Sequence, residues 1–134
     1  MREKCAVFGI RSNRNVFDSV YYGLYSLQHR GQESAGMALY HDDEIHVHKG
    51  MGLVSSVFKD AFFEGKIGIG HVRYSTQGDT QIENSQPITI RYGMGSLAIA
   101  HNGHLINGFE LKEKLKNKGA IFTTDTDTEV IAHL

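Results

Sequence analysis

With 134 residues, a net charge of −1 and acidic and basic side chains mixed along its length, this chain can bury one real core, and it has neither a basic stripe for nucleic acid nor an acidic tail. Its single cysteine excludes an intramolecular disulfide and fits a reducing compartment, so a cytoplasmic location is expected. The charged N-terminus leads into too short an apolar run for a signal peptide, and nothing approaches the roughly 18 apolar residues of a membrane span.

In chain order, Cys5 to Ile10 reads as a buried strand. Ser19 to Gln28 spaces Val20, Leu24 and Leu27 at helical intervals, with Tyr21, Tyr22 and Tyr25 thickening the stripe, and the helix stops at Gly31. Ala35 to Tyr40 and Glu44 to Lys49 are short strands around His41-Asp42-Asp43, a hairpin turn. Val54 to Phe63 is expected as a short helix, and Ile67 to Tyr74 as an apolar strand ending in charge at Arg73. Gly78 to Gln86 is polar and loop-like. Ile88 to Tyr92 and Ser96 to Ala100 pair across Gly93-Met94-Gly95. Phe109 to Lys118 has helical spacing, gathers lysines toward its C-terminus and ends at Gly119. The stretch Thr123 to Asp127 offers an N-cap for a last helix, Thr128 to Leu134, which reads as cut off mid-course with no stop signal. Sequential hairpins with helices between them predict an α+β layered domain.

Cys5 is the sharpest chemical signal. A thiol at the head of a strand packs as a small hydrophobe in many proteins. If Met1 to Lys4 is removed, however, Cys5 carries a thiol of pKa near ~8.5 beside an α-amine of pKa near ~8, and the amine can serve the thiol as local base. While Lys4 is attached that nitrogen is an amide and accepts no proton.

Three further sites carry paired readings. Asn102 and Gly103 close a strand and supply two neutral donors suited to an oxyanion, although Asn-Gly is also a common turn. Arg73, at a strand end, can grip a carboxylate through two parallel hydrogen bonds, and Asp127 can take the matching ammonium; a surface arginine and a helix-capping aspartate are the plainer alternatives. His41, Asp42, Asp43, His46 and His48 lack the spacing of an identifiable metal site, and a polar face on an edge hairpin accounts for them, so no metal is expected.

Five blocks then stand in order: Cys5-Ala6-Val7-Phe8-Gly9, Leu27 to Gly36, Gly70-His71-Val72-Arg73-Tyr74-Ser75-Thr76, His101-Asn102-Gly103, and Asp125-Thr126-Asp127-Thr128-Glu129-Val130. Together they closely resemble the glutaminase domain of the amidophosphoribosyltransferases, the glutamine phosphoribosylpyrophosphate amidotransferases of purine synthesis, from Cys5 to Leu134. Glucosamine-6-phosphate synthase is the nearest alternative, but it usually has Trp and His where this chain has Tyr74 and Gln77.

The resemblance implies an N-terminal-nucleophile hydrolase fold, an αββα sandwich of two stacked antiparallel sheets, here incomplete at the C-terminus. It implies that Cys5 attacks the glutamine amide to form a γ-glutamyl thioester, with its own α-amine as base and acid. Asn102 and Gly103 would form the oxyanion hole, Arg73 would hold the substrate carboxylate and Asp127 its ammonium. Arg30 and Gly31 match the loop over the nucleophile, and Thr76 the loop that closes on substrate. Residues 1–4 would be a propeptide and residues 5–134 a partial glutaminase domain, with the phosphoribosyltransferase domain absent. In this family ammonia passes to that second domain and displaces pyrophosphate from phosphoribosyl pyrophosphate. Mg2+ is expected in the second domain, an iron–sulfur cluster occurs further along in some members, and the full-length protein is expected to be a homo-oligomer. A further alternative is an unprocessed, inactive fragment.

Overall fold

The computed structural model describes residues 4–74 and 81–134. Strands β1 (Ala6–Arg11), β2 (Ser34–His41), β3 (Glu44–Met51) and β4 (Ile67–Arg73) form one antiparallel sheet in the order β1-β4-β2-β3. Strands β5 (Ile88–Tyr92) and β6 (Gly95–Ile99) form a second, two-stranded sheet. Helices α1 (Phe17–Ser26) and α2 (Val54–Val57) cover one face of the larger sheet. The β5–β6 hairpin lies on the other side, and α4 (Asp127–His133) packs over it beside α3 (Gly108–Asn117). The layer order is therefore helix, sheet, sheet, helix.

The main core lies between α1 and the larger sheet, where Val16, Val20, Leu24, Met37, Leu39 and Val72 are fully enclosed. Each such side chain contributes roughly 1.5–3 kcal/mol of hydrophobic stabilisation. Glycines let the helix settle this close: a Cβ at Gly70 would lie 2.8 Å from Leu24. Asn15 fixes the entry of α1, its Oδ1 accepting from Phe17 N at 3.2 Å and from Gly65 N at 3.1 Å. The expected tyrosine stripe is only partly internal, since Tyr22 and Tyr25 face outward, Tyr25 stacking on Tyr21 and Tyr22 meeting it edge to face.

Two expectations change. β1 is an edge strand with only one face covered, so Val7 is exposed while Ala6 is buried, rather than a strand buried on both sides. The helix expected to reach Phe63 ends at Val57. Beyond it the chain opens so that Phe58, Phe62 and Phe63 all meet the ring of Phe17.

Local chemistry explains the turns and caps. The β2–β3 turn places Asp42 and Asp43 at φ of 49° and 62°, the left-handed pair a two-residue hairpin of matching twist requires. Helix α3 ends on Gly119 at φ 98°, with Ala120 N bonded to Leu115 O and Gly119 N to Lys116 O, a glycine-closed C-terminus. Thr126 caps α4 by accepting from Glu129 N. The histidines of β3 have structural partners: His48 Nε2 meets Val57 O at 2.7 Å, and His46 lies beside Phe63. Among the described residues no group of three His, Cys, Asp or Glu side chains is arranged to hold a metal, and no helix is long and apolar enough to cross a membrane.

Candidate active site

A cleft of about 710 Å3 opens between the end of β4, the turn after β6 and the start of α4, and Cys5, Arg73, Asn102, Gly103 and Asp127 all line it. These residues come from well-separated stretches of sequence. Cys5 is half-buried, immediately before edge strand β1, and its thiol lies against the Tyr74 backbone, 3.5 Å from the amide nitrogen and 3.8 Å from the carbonyl oxygen. The Cys5 carbonyl accepts two side-chain hydrogen bonds, from Arg30 Nε at 3.0 Å and from Asn102 Nδ2 at 2.9 Å. Arg30 therefore grips the backbone of the cysteine rather than lining the cleft.

Gly31 follows directly and lies flat against β4. A Cβ there would be 2.7 Å from the Arg73 carbonyl carbon, so close backbone approach calls for glycine. Its φ of −165° is ordinary extended backbone. Thr76 lies outside the described residues.

Arg73 emerges at the end of β4, where its Nη1 donates to Asn84 O at 2.7 Å and its Nε faces Glu33 Oε2 at 3.5 Å. Asp127 begins α4, and its Oδ2 accepts from Leu105 N at 2.7 Å, which anchors the loop after the Asn-Gly pair. His101 and His104 stand 3.9 Å and 3.7 Å from its carboxylate oxygens. Arg73 and Asp127 thus bring opposite charges to the lining of one cleft.

Behind this lining is a buried polar layer that sequence reasoning missed. The polar, loop-like stretch expected over Gly78 to Gln86 holds a 3-10 turn at Ile82–Asn84, and Asn84, Ser85 and Gln86 at its end are buried. Lys49 Nζ holds this segment through Ser85 O at 2.7 Å and Pro87 O at 3.3 Å, and burial pushes the lysine pKa down. His71, also buried, shares a face of β4 with Arg73. Burial, with the adjoining Arg73 charge, lowers its pKa to about 4 from an ordinary 6.5, so it is neutral at physiological pH. The i, i+2 spacing of His71 and Arg73 was the signal available for it. Glu129 is deeply buried as well. Burial opposes its charge, yet hydrogen bonds from Thr123 and Thr124 outweigh that and hold its pKa below the usual value.

Two facing antiparallel sheets between helices, with a cysteine heading an edge strand beside a donor-lined cleft, define the N-terminal-nucleophile hydrolase class. Comparison with known proteins narrows this. A glutamine amidotransferase domain model matches residues 48–134. The amidophosphoribosyltransferase of Methanothermobacter thermautotrophicus is 50% identical over 140 residues, covering all of this chain and 30% of that protein. That of Lacticaseibacillus casei is 43% identical over 138 residues, again covering all of this chain and 71% of the relative. Among solved structures, the glutamine phosphoribosylpyrophosphate amidotransferase of B. subtilis complexed with ADP and GMP superimposes with a TM-score of 0.87 at 48% identity, over 96% of this chain and 28% of that one. The chain belongs to the glutamine amidotransferase domain family and, within it, to the amidophosphoribosyltransferases. It spans about 30% of the length of the first curated relatives it matches.

Proposed function

We propose that this chain is the glutamine-hydrolysing part of an amidophosphoribosyltransferase, with the first four residues a propeptide and residues 5–134 part of the glutaminase domain. The observation that carries the reading is the convergence of Cys5, Asn102, Gly103, Arg73 and Asp127 on one cleft. Removal of Met1 to Lys4 frees the Cys5 α-amine, which takes the thiol proton. Arg73 holds the glutamine α-carboxylate and Asp127 its α-ammonium, which presents the side-chain amide to the sulfur.

Cys5 Sγ attacks the amide carbon, and the developing oxyanion is stabilised by the Asn102 side chain and the Gly103 N–H. The C–N bond then breaks, the protonated α-amine returns its proton to the leaving nitrogen, and ammonia departs from a γ-glutamyl thioester. Water, deprotonated by the same amine, opens the thioester to glutamate and restores the thiol. Arg30 and Gly31 support the nucleophile's backbone. The ammonia serves 5-phosphoribosylamine formation from phosphoribosyl pyrophosphate in a second domain, which in this reading also carries the Mg2+ site and completes a cytoplasmic homo-oligomer.

The test is the intact mass and first residue of the purified protein, measured together with glutamate release from glutamine. A protein beginning at Cys5 that releases glutamate is the expected result. Turnover by a chain still carrying Lys4 would remove the α-amine from the mechanism, and absence of turnover after cleavage would defeat the reading.

A further inference from the structure

Gln86 is 7% exposed and spends both ends of its amide inside the protein. Its Oε1 accepts from His101 N at 2.7 Å, and its Nε2 donates to Thr128 Oγ1 at 3.0 Å. One bond holds the residue before Asn102 and Gly103, and the other holds the residue after Asp127. Its neighbour Asn84 ties the remaining wall: its carbonyl accepts from Arg73 Nη1 at 2.7 Å and its Oδ1 accepts from Asp125 N at 3.1 Å.

The segment that bears these two amides is itself clamped. Lys49 bonds the carbonyls on either side of Gln86, and a Cβ at Gly36 would collide with the Gln86 carbonyl. Buried side-chain amides with both ends bonded have little freedom, because leaving either end unpaired would cost about 1–3 kcal/mol.

We infer that Gln86 is a positioning residue that sets the distance between the amide-binding turn (Asn102, Gly103) and the α-amino-acid clamp (Arg73, Asp127), and so selects glutamine over its shorter homologue asparagine. This rests on the glutamine reading above. Asparagine lacks one methylene, and C–C bonds are about 1.5 Å long. With the head group held by Arg73 and Asp127, its amide stops short of the sulfur and the oxyanion donors. A misplacement of about 1 Å at a reacting centre can cost roughly 100-fold in rate, so a fixed spacing discriminates strongly while a slack one does not.

The experiment compares wild type with Gln86→Leu and Gln86→Glu in the intact protein processed to Cys5, using glutamine and asparagine as competing substrates. In Q86L, kcat with glutamine should fall roughly 10–100-fold and the glutamine-to-asparagine ratio of kcat/KM by at least about tenfold. The His101 amide should exchange its hydrogen at least about tenfold faster once it loses its acceptor. Glutamate can still accept from His101 N with one oxygen and from the Thr128 hydroxyl with the other, so Q86E should keep that protection and most of the selectivity. A folded Q86L with the wild-type substrate ratio, or with unchanged His101 protection, overturns the inference while leaving the glutaminase reading intact. If Q86L does not fold, Thr128→Val removes the Nε2 partner together with the 3.4 Å contact to His101 Nδ1, and an unchanged ratio there overturns it too. A wild-type protein without glutamine turnover defeats both.

Discussion

The two halves of this molecule are held together in different ways. Around β1, β2, β4 and α1 the structure rests on apolar contact, with Val16, Val20, Leu24, Met37 and Leu39 fully enclosed. Around β5, β6, α3 and α4 few apolar side chains are buried, chiefly Ile88 and Val130, while Ile106, Phe109 and Ile121 face outward. There the order comes from hydrogen bonds: Gln86 to His101 and Thr128, Asn84 to Arg73 and Asp125, and Glu129 to Thr123 and Thr124. Cys5 and Arg73 stand on the apolar half, and Asn102, Gly103 and Asp127 on the polar half. Apolar packing is tolerant in direction, whereas hydrogen bonds fix geometry, and Arg73 is itself aimed by its bond to Asn84, so the cleft lies where the two modes of order meet.

This contrast can be broken at four points. The largest effect is expected for Cys5→Ala, which should reduce glutamine hydrolysis by roughly 10⁴-fold or more while shifting the melting temperature little; glutaminase assay and calorimetry on the same sample decide it. Leu24→Ala should cost about 2–5 kcal/mol of stability by opening a cavity under α1, read by denaturant unfolding. An equal loss on truncating exposed Phe109 would erase the distinction between the halves. Asn102→Ala should lower kcat about 10²–10³-fold with a smaller change in KM, the signature of an interaction made in the transition state.

The fourth is a pH effect from a buried polar side chain on β4, in the apolar half. His71 is neutral in the fold with a pKa of about 4 against an ordinary 6.5, so the unfolded chain binds a proton that the native chain refuses. Stability should therefore fall as pH drops from about 6.5 to about 4, by about 3 kcal/mol in total, and this contribution levels off below that. His71→Phe should flatten the slope in an unfolding series across that range. A slope unchanged in the variant would assign the acid sensitivity to other groups.

Much of the fold could be read from local signals, because turns, caps and hairpins are local. The Asp42-Asp43 turn, the close of α3 at Gly119 and the cap of α4 by the threonine-rich stretch each depend on a few adjacent residues. The edge position of β1 could not be read this way, since strand order is a property of the whole sheet. The same holds for the site. Cys5, Arg73, Asn102, Gly103 and Asp127 offer apt residue types at strand and helix ends, each with a plainer alternative, and only the fold brings them to one cleft. Gln86 and Asn84 do not, because each works through partners between 11 and 42 positions away, and a glutamine before a proline looks like any loop residue.

The paired hydrogen bonds on the Cys5 carbonyl tie the start of β1 to residues 25 and 97 positions away. Arg30 Nε at 3.0 Å and Asn102 Nδ2 at 2.9 Å meet the two lone pairs of that oxygen. Were the bond before Cys5 cut, the new chain end would stay anchored from both sides through its carbonyl instead of fraying as chain ends commonly do.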